Sequence, residues 1–197
     1  MEQSFVIHAT LFPIKPSLII ACLGNPGSSY ERTRHNIGFQ AVDALAKEFS
    51  GGDFEEKQKF SALISEGRII TAPILFVKPL TYMNRSGEAL RKIVDFYKLD
   101  PKSQLLVLCD DVDLPLGEVR VRMKGGPGTH NGLKSIVEIF GEDFPRIRIG
   151  LGAHPSGDAL SAWVLSIPSP ADQKIISKAL RELPELVRRT VLGSSAM

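Results

Sequence analysis

A chain of 197 residues, 43% hydrophobic and 23% charged, has the size and balance of one ordinary globular domain. Its formal charge of +2 says little by itself, but the charge is unevenly spread. Between positions 116 and 135, Arg120, Arg122, Lys124 and Lys134 stand against Glu118 alone, a local basic patch suited to phosphates.

No apolar run is long enough to span a bilayer. The N-terminus carries Glu2 and no basic segment ahead of a long apolar stretch, so it does not read as a secretory signal. A cytoplasmic protein is expected. Cys22 and Cys109 lie in apolar runs and read as buried, reduced thiols. No Cys/His cluster has the spacing of a metal site.

Residues 1–17, with Pro13 and Pro16, read as an extension ahead of a single domain over 18–197. The run Leu18 to Leu23 predicts a buried strand, which Asn25-Pro26-Gly27 ends with turn chemistry. Past Asn36, Val42, Leu45, Ala46 and Phe49 recur on one face of a helix that Gly51-Gly52-Asp53 closes. Phe60 to Ser65 and Ile69 to Val77 predict two strands joined through Glu66-Gly67-Arg68. Lys78 to Asn84 is a loop, and Leu90, Ile93, Val94 and Tyr97 mark a second amphipathic helix. Leu105 to Cys109 is another buried strand, ending on Asp110, Asp111 and Asp113.

Glu118 to Met123 alternates as a strand with its arginines on one face. The Gly-rich loop 125–132 leads into a helix near Leu133 to Phe140, and Arg146 to Gly150 is again a strand. Ile176, Leu180, Leu183 and Val187 give a last helix, expected to break or restart at Pro184. Strands alternating with helices imply a three-layer α/β domain.

Three strand ends deliver polar residues into loops: Asn25 and His35 from the first, Tyr82 and Asn84 from another, Asp110 from a third. The Gly-rich loop adds His130 and Asn131. If those strands are neighbours, the loops share the sheet edge where α/β proteins place their sites. His35 beside Asp110 is then a base held by a carboxylate. Gly-x-Ser-x-Gly is absent, which shifts the expectation from a covalent route to water activated by histidine. The Asn amides can position water or polarise a carbonyl oxygen. Plainer readings exist: Asn25 as a turn residue, His35 as a helix cap, the three aspartates as a turn or a cation site. The Gly-rich loop lacks both the phosphate-loop pattern and a glycine fingerprint followed by an acidic ribose ligand, which argues against a nucleotide-cofactor oxidoreductase.

The ordered combination is far more specific. Gly24-Asn25-Pro26-Gly27 with Tyr30 and Arg34 to Gly38, then Lys78 to Gly87, Asp110 to Gly117, Gly125 to Lys134, and Arg146 to Gly150 together resemble the bacterial peptidyl-tRNA hydrolases, from Leu18 to the final helix. The resemblance implies a single domain with a mixed central sheet flanked by helices. It implies cleavage of the ester joining a peptide, or another N-blocked aminoacyl group, to the terminal ribose of tRNA, by a cytoplasmic monomer without metal or cofactor. His35 matches the catalytic base, Asp110 the carboxylate supporting its basic form, and Asn25 the residue that separates blocked from unblocked aminoacyl-tRNA. Tyr30, Tyr82, Asn84 and Asn131 match tRNA-contacting positions, Tyr82 standing where phenylalanine is common. Met83 matches a substrate-cleft position, and Arg120, Arg122 and Arg148 fall where basic residues meet tRNA phosphates. With Lys134, these arginines form a candidate phosphate track. The competing reading is a non-catalytic RNA-binding homologue of the same fold, like the family's relatives in plant-organelle intron splicing. The presence of Asn25, His35 and Asp110 together speaks for hydrolysis.

Overall fold

The structure is a computed structural model that describes residues 14–155, 157 and 159–193. It is built on one seven-stranded mixed sheet. In chain order the elements are β1 (Leu18–Cys22), α1 (Ile37–Phe49), β2 (Glu55–Lys57), β3 (Ala62–Ile69), β4 (Ala72–Pro79), α2 (Ser86–Tyr97), α3 (Pro101–Gln104), β5 (Leu105–Asp111), β6 (Val119–Arg122), α4 (Asn131–Phe140), β7 (Arg146–Gly150), α5 (Ala159–Val164) and α6 (Pro170–Gly193). The strand order is β2-β3-β4-β1-β5-β7-β6, with the central four parallel and both margins antiparallel.

Alternation along the central strands sorts side chains into two cores. Ile19, Ala21, Val107 and Cys109 face α2 and α4, where Leu90, Ile93, Leu133 and Ile136 cover them. Ile20, Cys22, Leu106 and Leu108 face α1 and α6, under Val42, Leu45, Ala46, Leu183 and Val187. Both cysteines are buried and free, in separate layers, and burial pushes both thiols well above their usual range.

Four details differ from the sequence expectation. The β3–β4 hairpin turns at Ile70-Thr71, not at Glu66-Gly67-Arg68, because pairing continues unbroken from Ala62↔Pro79 to Ile69↔Ala72. Ile70 supplies the turn with φ 58°, and Arg68 Nη1 donates to Thr71 O at 3.0 Å. Phe60 lies in a 3-10 turn rather than at the head of the strand. The short β2, α3 and α5 carry too little periodicity to be read in advance. Finally, α6 runs through Pro184 without a break. The proline removes one helical hydrogen bond, costing about 3 kcal/mol. Ile176, Ala179, Leu183 and Val187, buried on both sides of it, outweigh that at about 1.5–3 kcal/mol for each large side chain. Of the expected extension, residues 1–13 lie outside the described residues; Ser17, just ahead of β1, donates its N–H to Pro73 O of β4 at 2.8 Å.

The parallel centre aims the carboxyl ends of β1, β5 and β7 at one edge of the sheet. Helix α1 begins hard against that edge. A Cβ on Gly38 would sit 2.4 Å from Leu23 O and 2.9 Å from Leu108 O, so only glycine permits the approach. That contact sets the 3-10 turn Arg34–Asn36, and with it His35, above the end of β5.

Candidate active site

Asp110, the last residue but one of β5, has a side chain only 2% exposed. Its two oxygens lie 3.0 and 2.9 Å from His35 Nδ1, and Oδ1 also lies 2.8 Å from His130 Nε2. With Nδ1–H donated to the carboxylate, the His35 Nε2 lone pair is free to take a proton. Burial pushes the His35 imidazole toward the neutral form, but the charge of Asp110 and its hydrogen bond outweigh burial and hold the pKa above 6.5. Burial likewise opposes ionisation of Asp110, yet the two imidazoles, by charge and by hydrogen bond, hold its carboxyl well below the usual range. The pair thus has the geometry of an imidazole held by an ionised carboxylate, an arrangement able to act as a general base.

Around this pair opens a cleft of about 370 Å³. His35, Asp110, His130 and Asn131 line it, together with the basic residues Arg122, Lys124, Arg146 and Arg148. Leu160, Ser161 and Val164 of the α5 segment line it too. Arg34 ties that segment to the His35 turn. Its N–H donates to Ser166 O at 3.0 Å, its Nη1 to Ser166 Oγ at 2.7 Å, and its Cζ lies 4.7 Å from the centre of the Trp163 ring.

Asn25 and Met83 form a second shoulder. Asn36 is fully buried and grips the Asn25 backbone, its Oδ1 accepting from Asn25 N and its Nδ2 donating to Asn25 O, both at 2.9 Å. Asn25 Oδ1 accepts from Met83 N at 2.9 Å, which turns the Asn25 Nδ2 donor the other way. This shoulder meets the histidines at Gly132, where a Cβ would strike Met83 Sδ at 2.5 Å and His130 Cε1 at 3.1 Å. Tyr82 precedes Met83 with φ 61°, a strained backbone for an aromatic residue, and its ring is exposed.

The expected residues therefore divide. His35, Asp110, Asn131, Arg122 and Arg148 share the cleft, and Asn25 and Met83 adjoin it. Tyr30, Tyr82, Asn84, Lys134 and Arg120 do not line it. Arg120 pairs with Glu118 on the exposed face of β6, and Lys134 reaches Asn131 Oδ1 at 3.5 Å. The sequence named His130 in the Gly-rich loop but gave it no role; its signal was a polar residue immediately before the helix at Asn131. Asn36 and Arg34, hidden in the same motif as His35, were missed because their partners lie far along the chain or in backbone.

His35, Asp110 and His130 place ligand-type atoms within 4.8 Å of one another. Their chemistry does not fit a metal. His130 Nδ1 accepts from two backbone N–H groups, so its Nε2 keeps the proton that an ion would have to displace. Asp111 and Asp113 do not build an oxygen cage either. Asp111 pairs with Arg148 and accepts the Asp113 N–H at 2.9 Å.

The sequence pattern described as peptidyl-tRNA hydrolase matches residues 19–196. The chain belongs to the peptidyl-tRNA hydrolase family. It is 46% identical to the peptidyl-tRNA hydrolase of Fusobacterium nucleatum over 169 residues, covering 86% of each chain. It is 53% identical to that of Alkaliphilus oremlandii over 149 residues, covering 75% of this chain and 78% of the relative. Among solved structures, the peptidyl-tRNA hydrolase of Acinetobacter baumannii superposes with a TM-score of 0.86 at 35% identity, covering 92% of both chains. As a peptidyl-tRNA hydrolase family member, the chain is an ester hydrolase, and the non-catalytic RNA-binding reading is not favoured.

Proposed function

We propose that the chain hydrolyses the ester between an N-blocked aminoacyl or peptidyl group and the terminal ribose of tRNA, with His35 as general base and Asp110 as its orienting carboxylate. The observation that carries this reading is the His35–Asp110 bond inside a cleft also lined by basic residues. His35 Nε2 takes a proton from water as the oxygen attacks the ester carbonyl carbon. The tetrahedral intermediate then expels the ribose oxygen, which receives the proton back from His35. Asn131 lines the cleft and Asn84 does not, which favours Asn131 as donor to the developing oxyanion. Family membership supports peptidyl-tRNA as substrate, and turnover of that substrate accompanies translation in the cytoplasm. Among the described residues no helix is long and apolar enough to cross a membrane. A monomer is supported by the sheet margins: β2 is three charged residues and β6 exposes Arg120 and Arg122, both poor edges for strand pairing.

Asn25 reads the blocked end. Its fixed amide presents Nδ2 as a donor, suited to a peptide carbonyl and unsuited to a free ammonium. Asn25→Asp replaces that donor with an anionic acceptor. The ratio of the rate on free aminoacyl-tRNA to that on N-acetylated substrate is expected to rise roughly fivefold or more in the variant, since an ion pair of about 1 kcal/mol or more enters only for the ammonium. An unchanged ratio of the two rates would leave Asn25 as a turn residue.

The basic residues bind the tRNA backbone. In the β6–β7 register Arg120 opposes Arg148 and Arg122 opposes Arg146, which aligns four guanidinium-bearing residues on one face. Arg120 is paired with Glu118 and Arg148 with Asp111, whereas Arg122 has no carboxylate partner among the described residues, which makes it the residue best placed to meet a phosphate. Substituting Arg120→Ala together with Arg122→Ala is expected to raise KM for peptidyl-tRNA far more than it lowers kcat, with Arg122 contributing most. The salt slope of binding falls by roughly 0.7–0.9 per lost phosphate contact. A short N-blocked aminoacyl-CCA ester is cleaved almost as before. Equal loss on both substrates would assign these arginines to folding instead.

A further inference from the structure

A second imidazole faces the carboxylate that orients His35, and the reaction described above gives it no task. His130 is the N-cap of α4: its Nδ1 accepts from the backbone N–H of Gly132 at 3.1 Å and of Leu133 at 3.3 Å. Because both partners are donors, Nδ1 holds a lone pair and the ring proton sits on Nε2. That proton points at Asp110 Oδ1, 2.8 Å away. The start of the helix therefore fixes the tautomer, and the tautomer fixes a donor on the carboxylate. Histidine is not among the preferred N-caps, which are Asn, Asp, Ser and Thr. What it adds over them is a second, rigid end carrying an N–H.

We propose that His130 is a positioning residue of the hydrolytic pair, locked by the start of α4 as an Nε2–H donor that clamps Asp110 and limits how strongly the carboxylate draws the proton of His35. The proposal rests on His35 being the base. Asp110 is shut off from water, with its side chain 2% exposed, and its oxygens are divided between the two rings, whose centroids lie 5.0 Å apart. Oδ2 serves His35 alone; Oδ1 serves both, and its shorter bond is to His130. Without His130, Oδ1 loses that bond and the carboxylate gains basicity. Asp110 then favours the imidazolium of His35 more strongly, so less His35 is free base at neutral pH. The carboxylate also gains freedom to rotate, and the aim of His35 Nε2 loosens with it. Asp111, Asp113, Arg122, Lys124, Arg146 and Arg148 face the same cleft and are untouched by a change at His130.

Three substitutions in the full chain separate capping from clamping. His130→Asn keeps a capping oxygen but is too short to reach Asp110. His130→Gln offers both an acceptor and a longer-reaching N–H, and His130→Ala offers neither. The readouts are kcat and KM on N-blocked aminoacyl-tRNA, the thermal midpoint, and the NMR titration of His35. For His130→Asn the expected result is a near-native midpoint, kcat lower by roughly ten- to hundredfold, little change in KM, and a His35 titration moved to higher pH. His130→Gln is expected to recover part of kcat and of the titration shift. A native kcat with an unmoved His35 titration in His130→Asn would overturn the proposal and leave His130 a helix cap. A raised KM at native kcat would overturn it in favour of a substrate contact. The titration reads the coupling directly, so an unmoved His35 signal refutes the clamp, whereas an active His35→Ala enzyme refutes the base assignment beneath it.

Discussion

His35→Ala is expected to lower kcat on N-blocked aminoacyl-tRNA by roughly a thousandfold, within the range that a positioned general base contributes, while tRNA binding stays close to native. The split follows from the geometry. His35 lines the cleft with Nδ1 committed to Asp110 and Nε2 free, whereas the charge of the cleft comes from other residues, Arg122, Lys124 and Arg148. Removing the imidazole takes away the proton acceptor for water and leaves those residues intact. Fluorescence or filter binding of tRNA beside single-turnover hydrolysis measures the two separately. Near-native turnover by the variant at every pH would remove His35 from the chemistry.

Asp110→Asn is expected to rank next, with a loss of roughly a hundredfold or more, and Asp110→Ala with a smaller one. The asparagine is the more damaging because its amide can donate to His35 Nδ1 and so move the ring proton onto Nε2, the atom that must act as base. Alanine merely releases the ring. Both changes also delete the charge that holds the His35 pKa above 6.5 against the opposing effect of burial. The pH dependence follows in sign. A raised pKa keeps His35 protonated to higher pH, so activity of the native enzyme grows as pH rises through that value. Without the carboxylate, the acid limb of kcat moves to lower pH. A pH–rate profile of Asp110→Ala with an unmoved acid limb would detach Asp110 from His35. Cleavage of the Asp110→Asn enzyme's substrate at rates above those of Asp110→Ala would contradict the tautomer argument.

The sequence carried the main lines of this arrangement because they depend on local signals. The apolar runs of β1 and β5 are long, uniform and cut off by polar residues, so their ends, and hence Asn25, His35 and Asp110, were placed before the sheet order was known. Gly67 is a stronger turn signal in sequence than Ile70, yet eight cross-strand pairs decide the register and put the turn at Ile70-Thr71. Pro184 suggests a helix break because its local cost is visible in sequence, while the burial of Leu183 and Val187 against the sheet is not. The same distinction governs the site. His35 and Asp110 are 75 positions apart, and motif order alone suggested that they meet. The bond between Asn36 and the Asn25 backbone, the hold of Arg34 on Ser166, and the bridging position of His130 are tertiary facts with no periodic signature. Arg120 and Arg122 are equivalent in sequence as alternate residues of one strand, but only Arg122 lines the cleft, while Arg120, two residues earlier, turns to Glu118.

In the proposed mechanism the free base form of His35, poised by Asp110, activates water. The most direct test compares two titrations of the same native protein: the acid limb of kcat for N-blocked aminoacyl-tRNA, and the NMR titration of the His35 ring in a complex with a non-hydrolysable N-blocked aminoacyl-tRNA amide. The two midpoints are expected to coincide, both above 6.5, the ordinary histidine value. An acid limb that departs from the His35 midpoint, or a His35 midpoint below 6.5, would contradict that mechanism.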